Sequence, residues 1–297
     1  MITKGNWQDA LEPIAEKNAQ LGFKEVPADR ALLWNVKKAS KFTETYLELG
    51  DIGSVEEFTG DLPYDDVKQG HKMTVSQRQF AKGIKIQRIF VETDQLDVVE
   101  GLPKLLGLAA RRRMAVDTFA HLNNADNTTY TTIDGAKLCS ATHTDHANQG
   151  AASHSNRSTT ALSAPQVEAI RILMKAYTTN KENLFEVNPD MLIVPRALEE
   201  TAYEIINASG KVDTANNNPN FHKGKYKLLV SDWLDDSNNW FMVDSELLKM
   251  FCDWNQLVPL EFKQADDFDG IAAKYRMYMA YSFVSRDYRW VHGNIVS

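Results

Sequence analysis

The sequence predicts an α+β fold with long strands and one long helix. Apolar and polar residues alternate in 43–49 and again in 82–91, which is typical of strands. Between 97 and 123 the apolar residues instead recur at helical spacing. A third alternating stretch, 272–291, contains no obvious turn residue and predicts an unusually long closing strand.

The composition is that of an ordinary globular protein. The 297 residues are 43% hydrophobic and 25% charged, enough for one large domain or two smaller ones with a buried core. No apolar run reaches the roughly 18 residues needed to span a bilayer, so we expect a soluble protein. A net charge of −7 argues against a dedicated nucleic-acid binder. The two cysteines, Cys139 and Cys252, are expected to be unpaired.

The first 92 residues predict an arm followed by an extended hairpin. Trp7, Leu11 and Ile14 have helical spacing, so residues 1–45 are interpreted as an N-terminal arm with a short helix, broken at Pro13. Residues 46–92 are interpreted as a β-hairpin, with strands at each end of a polar, turn-rich stretch. Because a two-stranded ribbon is marginally stable alone, its apolar face is expected to be buried against a neighbour.

A helix is predicted from about Leu102 to Leu122, with Pro103 in its first turn. At 1.5 Å per residue this helix is about 30 Å long. Three consecutive arginines, Arg111, Arg112 and Arg113, lie in its middle and cannot share one face. The acidic balance of the chain favours a charged surface that touches acidic neighbours over a phosphate site.

A polar connector, 123–160, separates this helix from a second folding unit. Ser163, Pro165 and Gln166 predict a capped helix that ends near Tyr177. The remaining predicted elements are a buried strand 191–194, a helix 196–208 closed by Gly210, and strands 226–230 and 240–243.

Chemistry-bearing residues are sparse. His143, Asp145 and His146, close to Cys139 and His154, are weak candidates for a metal site, and a structural loop is the favoured interpretation because such short matches arise readily by chance. The clusters 235–236 and 266–269 are interpreted as solvated acidic turns rather than calcium loops. Phosphate-binding glycine loops and a nucleophile elbow are missing from the sequence, which gives no support to a nucleotide enzyme or to an elbow-type hydrolase.

The order of these elements resembles the major capsid proteins of tailed bacteriophages, and most closely the major head subunit of Mu-like phages. The resemblance is carried by 137–143, 162–163, 191–199, 229–234, 240–244 and the closing 275–290. It implies a tailed-phage major capsid fold with these segments: an N-terminal arm 1–45, an extended loop 46–92, a peripheral domain with a spine helix 93–162, an axial domain 163–269, and a strand 270–297 that returns to the peripheral domain.

The resemblance also implies a structural role without catalysis, cofactor or membrane. Copies of the chain would form the pentamers and hexamers of an icosahedral head that encloses double-stranded DNA, assembled in the host cytoplasm with a separate scaffolding protein, a portal and decoration proteins. The candidate intersubunit contacts are Arg111, Arg112, Arg113, Asp65, Asp66, Lys72 and Lys82. Two alternatives remain open: a metal-dependent hydrolase that uses His143, Asp145 and His146, and a cellular nanocompartment shell of the same fold.

Overall fold

The fold was analysed in a computed structural model. It describes residues 7–25, 29–52, 55, 57, 58, 60, 64, 69–93, 96–144, 153–179, 181, 183–210, 219–267 and 271–296.

Helices and strands alternate irregularly along the described chain. The helices are α1 (Trp7–Glu25), α2 (Arg30–Leu33), α3 (Arg88–Glu92), α4 (Leu96–Asn123), α5 (Ala164–Lys175), α6 (Glu199–Asn207) and α7 (Ser245–Phe251). The strands are β1 (Asn35–Lys38), β2 (Thr43–Leu49), β3 (Gln69–Ser76), β4 (Arg78–Gln87), β5 (His143–Thr144), β6 (Ser153–His154), β7 (Arg157–Ser158), β8 (Met191–Pro195), β9 (Lys227–Ser231), β10 (Trp240–Val243), β11 (Cys252–Asp267), β12 (Ala272–Ser285) and β13 (Val291–Asn294).

A four-stranded sheet in the order β1-β11-β12-β4 is built on two long antiparallel strands, β11 and β12. Its inner face packs against α1 and α4 through Ile86, Tyr275 and neighbouring apolar side chains. Aromatic residues fill the core at the other end of the sheet, where Trp254 stacks on Tyr281 with ring centroids 4.5 Å apart. Burial of these large side chains supplies most of the stabilisation of this layer.

A five-stranded sheet has the order β7-β13-β10-β8-β9. Every residue of β8 and of β10 is buried, as expected for central strands covered on both faces. Helices α5 and α6 cover one face, where Ile170 and Ile205 join the same apolar cluster as Trp240. On the other face, residues such as Phe241 and Ile193 join the core that also contains α4.

The helices α1 and α4 cross at unusually close range. An added Cβ at Gly107 would collide with the backbone carbonyl of Ala19, and one at Gly22 would collide with the carbonyl of Lys104. Glycine at both positions therefore permits the contact. The predicted short helix of the arm is in fact 19 residues long, with Pro13 inside it. None of the described helices is long and apolar enough to cross a bilayer.

The predicted hairpin pairing was wrong. Strand β2 pairs with β3, which the sequence had shown only as polar turn, and β4 pairs instead with β12 in the four-stranded sheet. The predicted strand 82–91 also ends early, at Gln87. Gln87 pairs with Ala272, the first residue of β12, so the chain after Gln87 has no residue of β12 to pair with and continues as α3.

Helix boundaries also differ from the prediction. Helix α4 begins at Leu96, so Pro103 lies inside the helix and not in its first turn. Ser163 precedes α5 in an extended conformation but makes no side-chain capping hydrogen bond, so the predicted side-chain cap does not form. Gly210 does not close α6; the helix ends at Asn207, and Gly210 forms a β-bridge to Pro219.

The two sheets interleave along the C-terminal third of the chain. Strand β11, within the predicted axial segment 163–269, pairs in the four-stranded sheet. Strand β13, within the predicted returning segment 270–297, pairs in the five-stranded sheet. The predicted closing strand 272–291 is therefore two strands, separated by a turn at 286–290. Together, β12, this turn and β13 join the two halves of the molecule.

Candidate assembly surfaces

The β2–β3 hairpin is fastened to the rest of the chain at its base. The Asn255 side chain donates a hydrogen bond to the Tyr46 hydroxyl, with 2.7 Å between Nδ2 and Oη. The guanidinium of Arg286 lies over the Tyr46 ring, 5.4 Å from its centroid. Since Asn255 lies near the start of β11, these contacts place the hairpin at one end of the four-stranded sheet.

A buried carboxylate strengthens this base. Asp253 is fully buried and forms ion pairs with Lys37 at 2.7 Å and with Arg286 at 3.1 Å. These pairs connect β1, β11 and the turn after β12. Removal of either positive partner would leave Asp253 less compensated in a dry site, which is costly. The carboxylate therefore fixes the place where the hairpin leaves the folded body.

Further along the hairpin, polar contacts continue to hold it. Glu48 accepts a hydrogen bond from the backbone N–H of His71, and the His71 Nδ1 lies 2.7 Å from the same carboxylate oxygen. Asp51 accepts hydrogen bonds from Asn183 at 3.1 Å and from Thr179 at 2.7 Å. These two bonds lower the pKa of Asp51 below its ordinary value. A cleft of about 320 Å³ lies beneath, lined in part by Glu48 and Asp51.

Apolar side chains crowd the hairpin and the segment beyond it without entering the core. Leu49 is 68% exposed, and Val55 is fully exposed. The other members of this exposed apolar set are Leu47, Ile52, Phe58 and Tyr64. Scattered exposed apolar residues are ordinary, but six among the 11 described residues of 47–64 form a concentration of the kind found at interaction surfaces.

The three consecutive arginines point in different directions, as predicted. Arg111 is buried against Phe23 of α1, and burial lowers its pKa. Arg113 donates a hydrogen bond to the buried Asp117, with 3.0 Å between Nε and Oδ2. Arg112 is exposed. Two of the three predicted contact residues are therefore engaged within the chain.

The other predicted contact residues fall into two groups. Lys72 of β3 and Lys82 of β4 are exposed on strands that the structure describes. Asp65 and Asp66 lie outside the described residues.

His143 lies in a buried polar network. Its Nδ1 lies 2.8 Å from an Asp134 oxygen, its Nε2 lies 3.0 Å from the Asn156 side-chain oxygen, and its ring stacks on Tyr288 at 3.8 Å. Although burial opposes ionisation, hydrogen bonds from His143 and Thr132 hold the pKa of Asp134 below its ordinary value. With both ring nitrogens engaged, His143 has no lone pair directed at a metal.

Neighbouring candidates for the metal site are dispersed. His154 pairs with His143 across the β5–β6 ladder but directs its Nε2 to the Thr178 hydroxyl at 3.2 Å. Asp145 and His146 lie outside the described residues. Within the described part of the chain, no three His, Cys, Asp or Glu side chains converge on a metal position. Cys139 and Cys252 are both buried free thiols, as predicted.

Asn156 is the junction residue that sequence reasoning missed. Its amide donates to the backbone carbonyls of Leu138, Tyr288 and Val291, and thereby ties the connector to the turn between β12 and β13. The only signal in the sequence is an asparagine in a tract rich in Asn, Ser and Thr. Because two of its three carbonyl partners, Tyr288 and Val291, lie more than 130 residues away, no local pattern could have identified it.

The comparisons with known proteins agree with this geometry. A family model described as "Phage capsid protein" matches residues 72–294. The Mu-like prophage FluMu major head subunit of Haemophilus influenzae is 30% identical over 94 residues, which are 32% of this chain. That match spans only 30% of the relative's own length.

Solved structures share the fold at low identity. The capsid of bacteriophage JBD30 decorated with minor capsid protein trimers superposes with a TM-score of 0.61 at 16% identity, over 73% of this chain and 93% of that chain. A virus-like particle from Pyrococcus furiosus has a TM-score of 0.56 at 7% identity, over 95% of this chain and 98% of that chain. The chain has the α+β fold of tailed-phage major capsid proteins and belongs to the phage capsid protein family.

Proposed function

We propose that this chain is the repeating subunit of the icosahedral head of a tailed phage, with copies arranged as pentamers and hexamers. The observation that carries the proposal is the family match across 72–294, which covers most of both sheets and the long helix α4. The proposed parts follow the two sheets and not the predicted segment boundaries: the five-stranded sheet, which includes β13, forms the axial part, and α4 with the four-stranded sheet, which includes β11, forms the peripheral part.

The exposed hairpin gives this proposal a physical basis. Its base is tied down by Tyr46 and Asp51, whereas apolar side chains along it and beyond it remain in solvent. A stable protein interface buries roughly 800 Å² on each partner, and an isolated globular body needs no such projection. The neighbouring subunit is the partner that a shell of identical copies would supply.

The head would enclose double-stranded DNA without reading its sequence. A net charge of −7 is compatible with enclosure, since tight phosphate neutralisation requires a basic surplus. The protein would reside in the virion after assembly in the host cytoplasm. A separate scaffolding protein and a portal complete the proposed set of partners. The minor capsid protein trimers on the JBD30 capsid favour a decoration protein here as well.

Among the contact residues predicted from sequence, Arg112, Lys72 and Lys82 are the strongest candidates, because their side chains are exposed. Arg111 and Arg113 act mainly within the chain, through α1 and Asp117. Asp65 and Asp66 stay candidates on sequence alone.

Two alternatives are weaker. The occupied ring nitrogens of His143 argue against the metal-dependent hydrolase and in favour of a structural, non-enzymatic role. A cellular nanocompartment shell of the same fold is the second alternative, and the likeness to the virus-like particle from Pyrococcus furiosus supports the shared fold alone. Nucleic acid inside purified particles would support the phage head, whereas protein cargo would support the compartment.

Electron microscopy of the full chain, expressed alone and examined over a range of concentration and salt, tests the proposal. Capsomers or shells are expected. A monodisperse monomer under every condition would overturn the proposed function. Efficient formation of uniform closed shells by the chain alone would leave the function in place but refute the separate scaffolding protein.

A further inference from the structure

The base of the β2–β3 hairpin covers one end of the four-stranded sheet, on the face turned away from α4. On β12, Tyr281 points toward α4, where its hydroxyl donates a hydrogen bond to Asp117. The next residue, Ser282, lies on the opposite face because side chains alternate along a strand, and it is nevertheless buried. Asn255 of β11 is directly opposite Ser282 and donates a hydrogen bond to Tyr46 of the hairpin. The hairpin therefore lies over this end of the sheet.

Gln77 lies where the chain passes from the hairpin into the sheet. It separates β3 from β4 and precedes Arg78, the last residue of β4 that pairs with β12 at this end. Its backbone N–H donates to the carbonyl of Phe42, just before β2, at 2.8 Å. Its side chain is buried at this crossing. Three buried polar residues thus meet beneath the hairpin base, and we name them the polar seat: Gln77, Asn255 and Ser282.

Three atoms of the polar seat are unsatisfied. Among the residues that the structure describes, neither amide atom of Gln77 nor the hydroxyl oxygen of Ser282 has a hydrogen-bond partner. A buried polar group without a partner has lost its hydrogen bonds to water and gained none in exchange. Folded proteins satisfy the great majority of such groups, so three unsatisfied atoms at one crossing are exceptional. The position of the hairpin over the polar seat is therefore disfavoured by the seat itself.

The contacts that oppose this penalty are polar. They are the hydrogen bond between Asn255 and Tyr46, the guanidinium of Arg286 over the Tyr46 ring, and the hydrogen bonds that Asp51 accepts. Each contact of this kind has a modest net strength, because water competes for the same groups. None of the apolar clusters formed by the described residues includes a residue of β2 or β3. The hairpin is thus held without the apolar packing that stabilises both sheets.

We propose that the hairpin is a two-position element, which alternates between the closed position over the polar seat and a lifted position. Lifting breaks the contacts of Tyr46 but exposes the three unsatisfied atoms to water, so gains and losses oppose each other in both positions. The purpose of the device rests on the proposed function. Copies in pentamers and hexamers would meet their neighbours at different angles, and a hairpin with two positions adapts to both.

The distance between two spin labels on the unassembled full chain, measured by double electron–electron resonance, tests the inference. One label replaces Lys72 on β3 and the other Arg112 on α4, in the variant K72C/R112C, because both side chains are exposed. The native thiols of Cys139 and Cys252 are buried, and burial raises the pKa of both, so the labels avoid them. Two distance populations are expected, one for each hairpin position.

Substitutions in the polar seat should shift these populations in opposite directions. Q77M/S282A replaces the unsatisfied atoms with apolar groups, so the lifted population should fall at least threefold and the melting temperature should not decrease. Q77E places a charge under the closed hairpin and should increase the lifted population. The control Y226F removes a hydroxyl before β9 that is likewise buried and has no partner among the described residues. It should leave both populations as in the unmodified background.

A single distance population in the labelled wild type would overturn the inference, and so would equal populations with and without Q77M/S282A. A shift of the same size in Y226F would also overturn it, because the effect would then not belong to the polar seat. Electron microscopy of the unlabelled chain reports separately on the proposed function. If the chain assembles but its hairpin has one position, only the inference fails. If the hairpin has two positions but the chain never assembles, the proposed function fails.

Discussion

The five-stranded sheet and the β2–β3 hairpin differ in how far their side chains are buried within the subunit. In β8 and β10 every side chain is buried, and the strands are closed in by helices on one face and the shared core on the other. In β2 half-buried and exposed residues alternate. Polar contacts of Tyr46 and Asp51 attach the hairpin to the rest of the chain, and Glu48 links its two strands. The sheet is thus buried within the subunit, whereas the hairpin is positioned by the subunit and keeps exposed apolar side chains, which in the proposed assembly a neighbouring subunit would cover.

Truncation of a central aromatic residue should show the largest effect on subunit stability. Trp240 is fully buried and donates a hydrogen bond to the Thr160 carbonyl. Trp240→Ala should lower the free energy of unfolding by roughly 3–5 kcal/mol. The hairpin counterpart Leu49→Ala should change it by less than about 0.5 kcal/mol. Chemical denaturation of both variants measures this contrast, and comparable losses would remove the distinction between the two regions.

The junction that holds the hairpin should be the next most sensitive. Asp253→Ala removes the buried carboxylate that Lys37 and Arg286, both partly exposed, contact, and should cost roughly 1–3 kcal/mol. The exposed and longer ion pair of Arg196 with Asp232 provides a matched control, for which Asp232→Ala should cost about 0–1 kcal/mol. Thermal melts compare the two. An Asp253→Ala variant with the melting temperature of the wild type would mean that the ion pairs do not fix the hairpin.

Acid should weaken the body of the subunit through a buried histidine. His121 lies among Trp34, Tyr130 and Phe283, and burial lowers its pKa to about 3. The unfolded chain binds a proton on His121 near pH 6.5, whereas the folded chain does so only near pH 3. The contribution of neutral His121 to stability is therefore fully present above pH 6.5 and is lost as the pH falls toward 3. The expected loss is about 2 kcal/mol between pH 6.5 and pH 5. Urea denaturation as a function of pH should show a flatter slope for His121→Gln; an unchanged slope would contradict the assignment.

A hydrogen bond at the hairpin base should have a small effect on the subunit. Tyr46→Phe keeps the ring under Arg286 but removes the bond from Asn255, at a cost of about 1 kcal/mol. Hydrogen exchange of the β2 amides should increase while exchange in β10 stays unchanged. Equal acceleration in both strands would show that the hairpin and the sheet unfold together.

The sequence predicted correctly those strands whose formation depends mainly on nearby residues. The apolar run 191–194 and the stretch 240–243 became β8 and β10 because such segments need only burial on both faces. The pairing of β2 with β3 and of β4 with β12 depends on residues far apart in sequence, and no period identifies them. Strand β11 escaped prediction because Asn255, Gln256 and Pro259 interrupt its alternation, and two register shifts absorb the irregularity.

The candidate assembly surfaces also include features that the local sequence predicts and features that only the folded chain creates. Exposure of the hairpin was expected from its low apolar content, and the dispersal of Arg111 to Arg113 follows from helical geometry. The role of His143 could not be predicted, because Asp134 and Asn156 reach it only in the folded chain.

Deletion of the whole stretch 53–83 would not isolate the projecting segment, because it would remove β3 and part of β4, and β4 belongs to the four-stranded sheet. The direct test is deletion of 53–68 alone, with a short Gly-Ser bridge between Ile52 and Gln69. The free energy of unfolding of the variant should lie within about 1 kcal/mol of that of the wild type, but the variant should form neither capsomers nor shells by electron microscopy under conditions in which the wild type forms them. An unfolded variant, or one that assembles as the wild type does, would contradict the claim that this segment serves a neighbouring subunit.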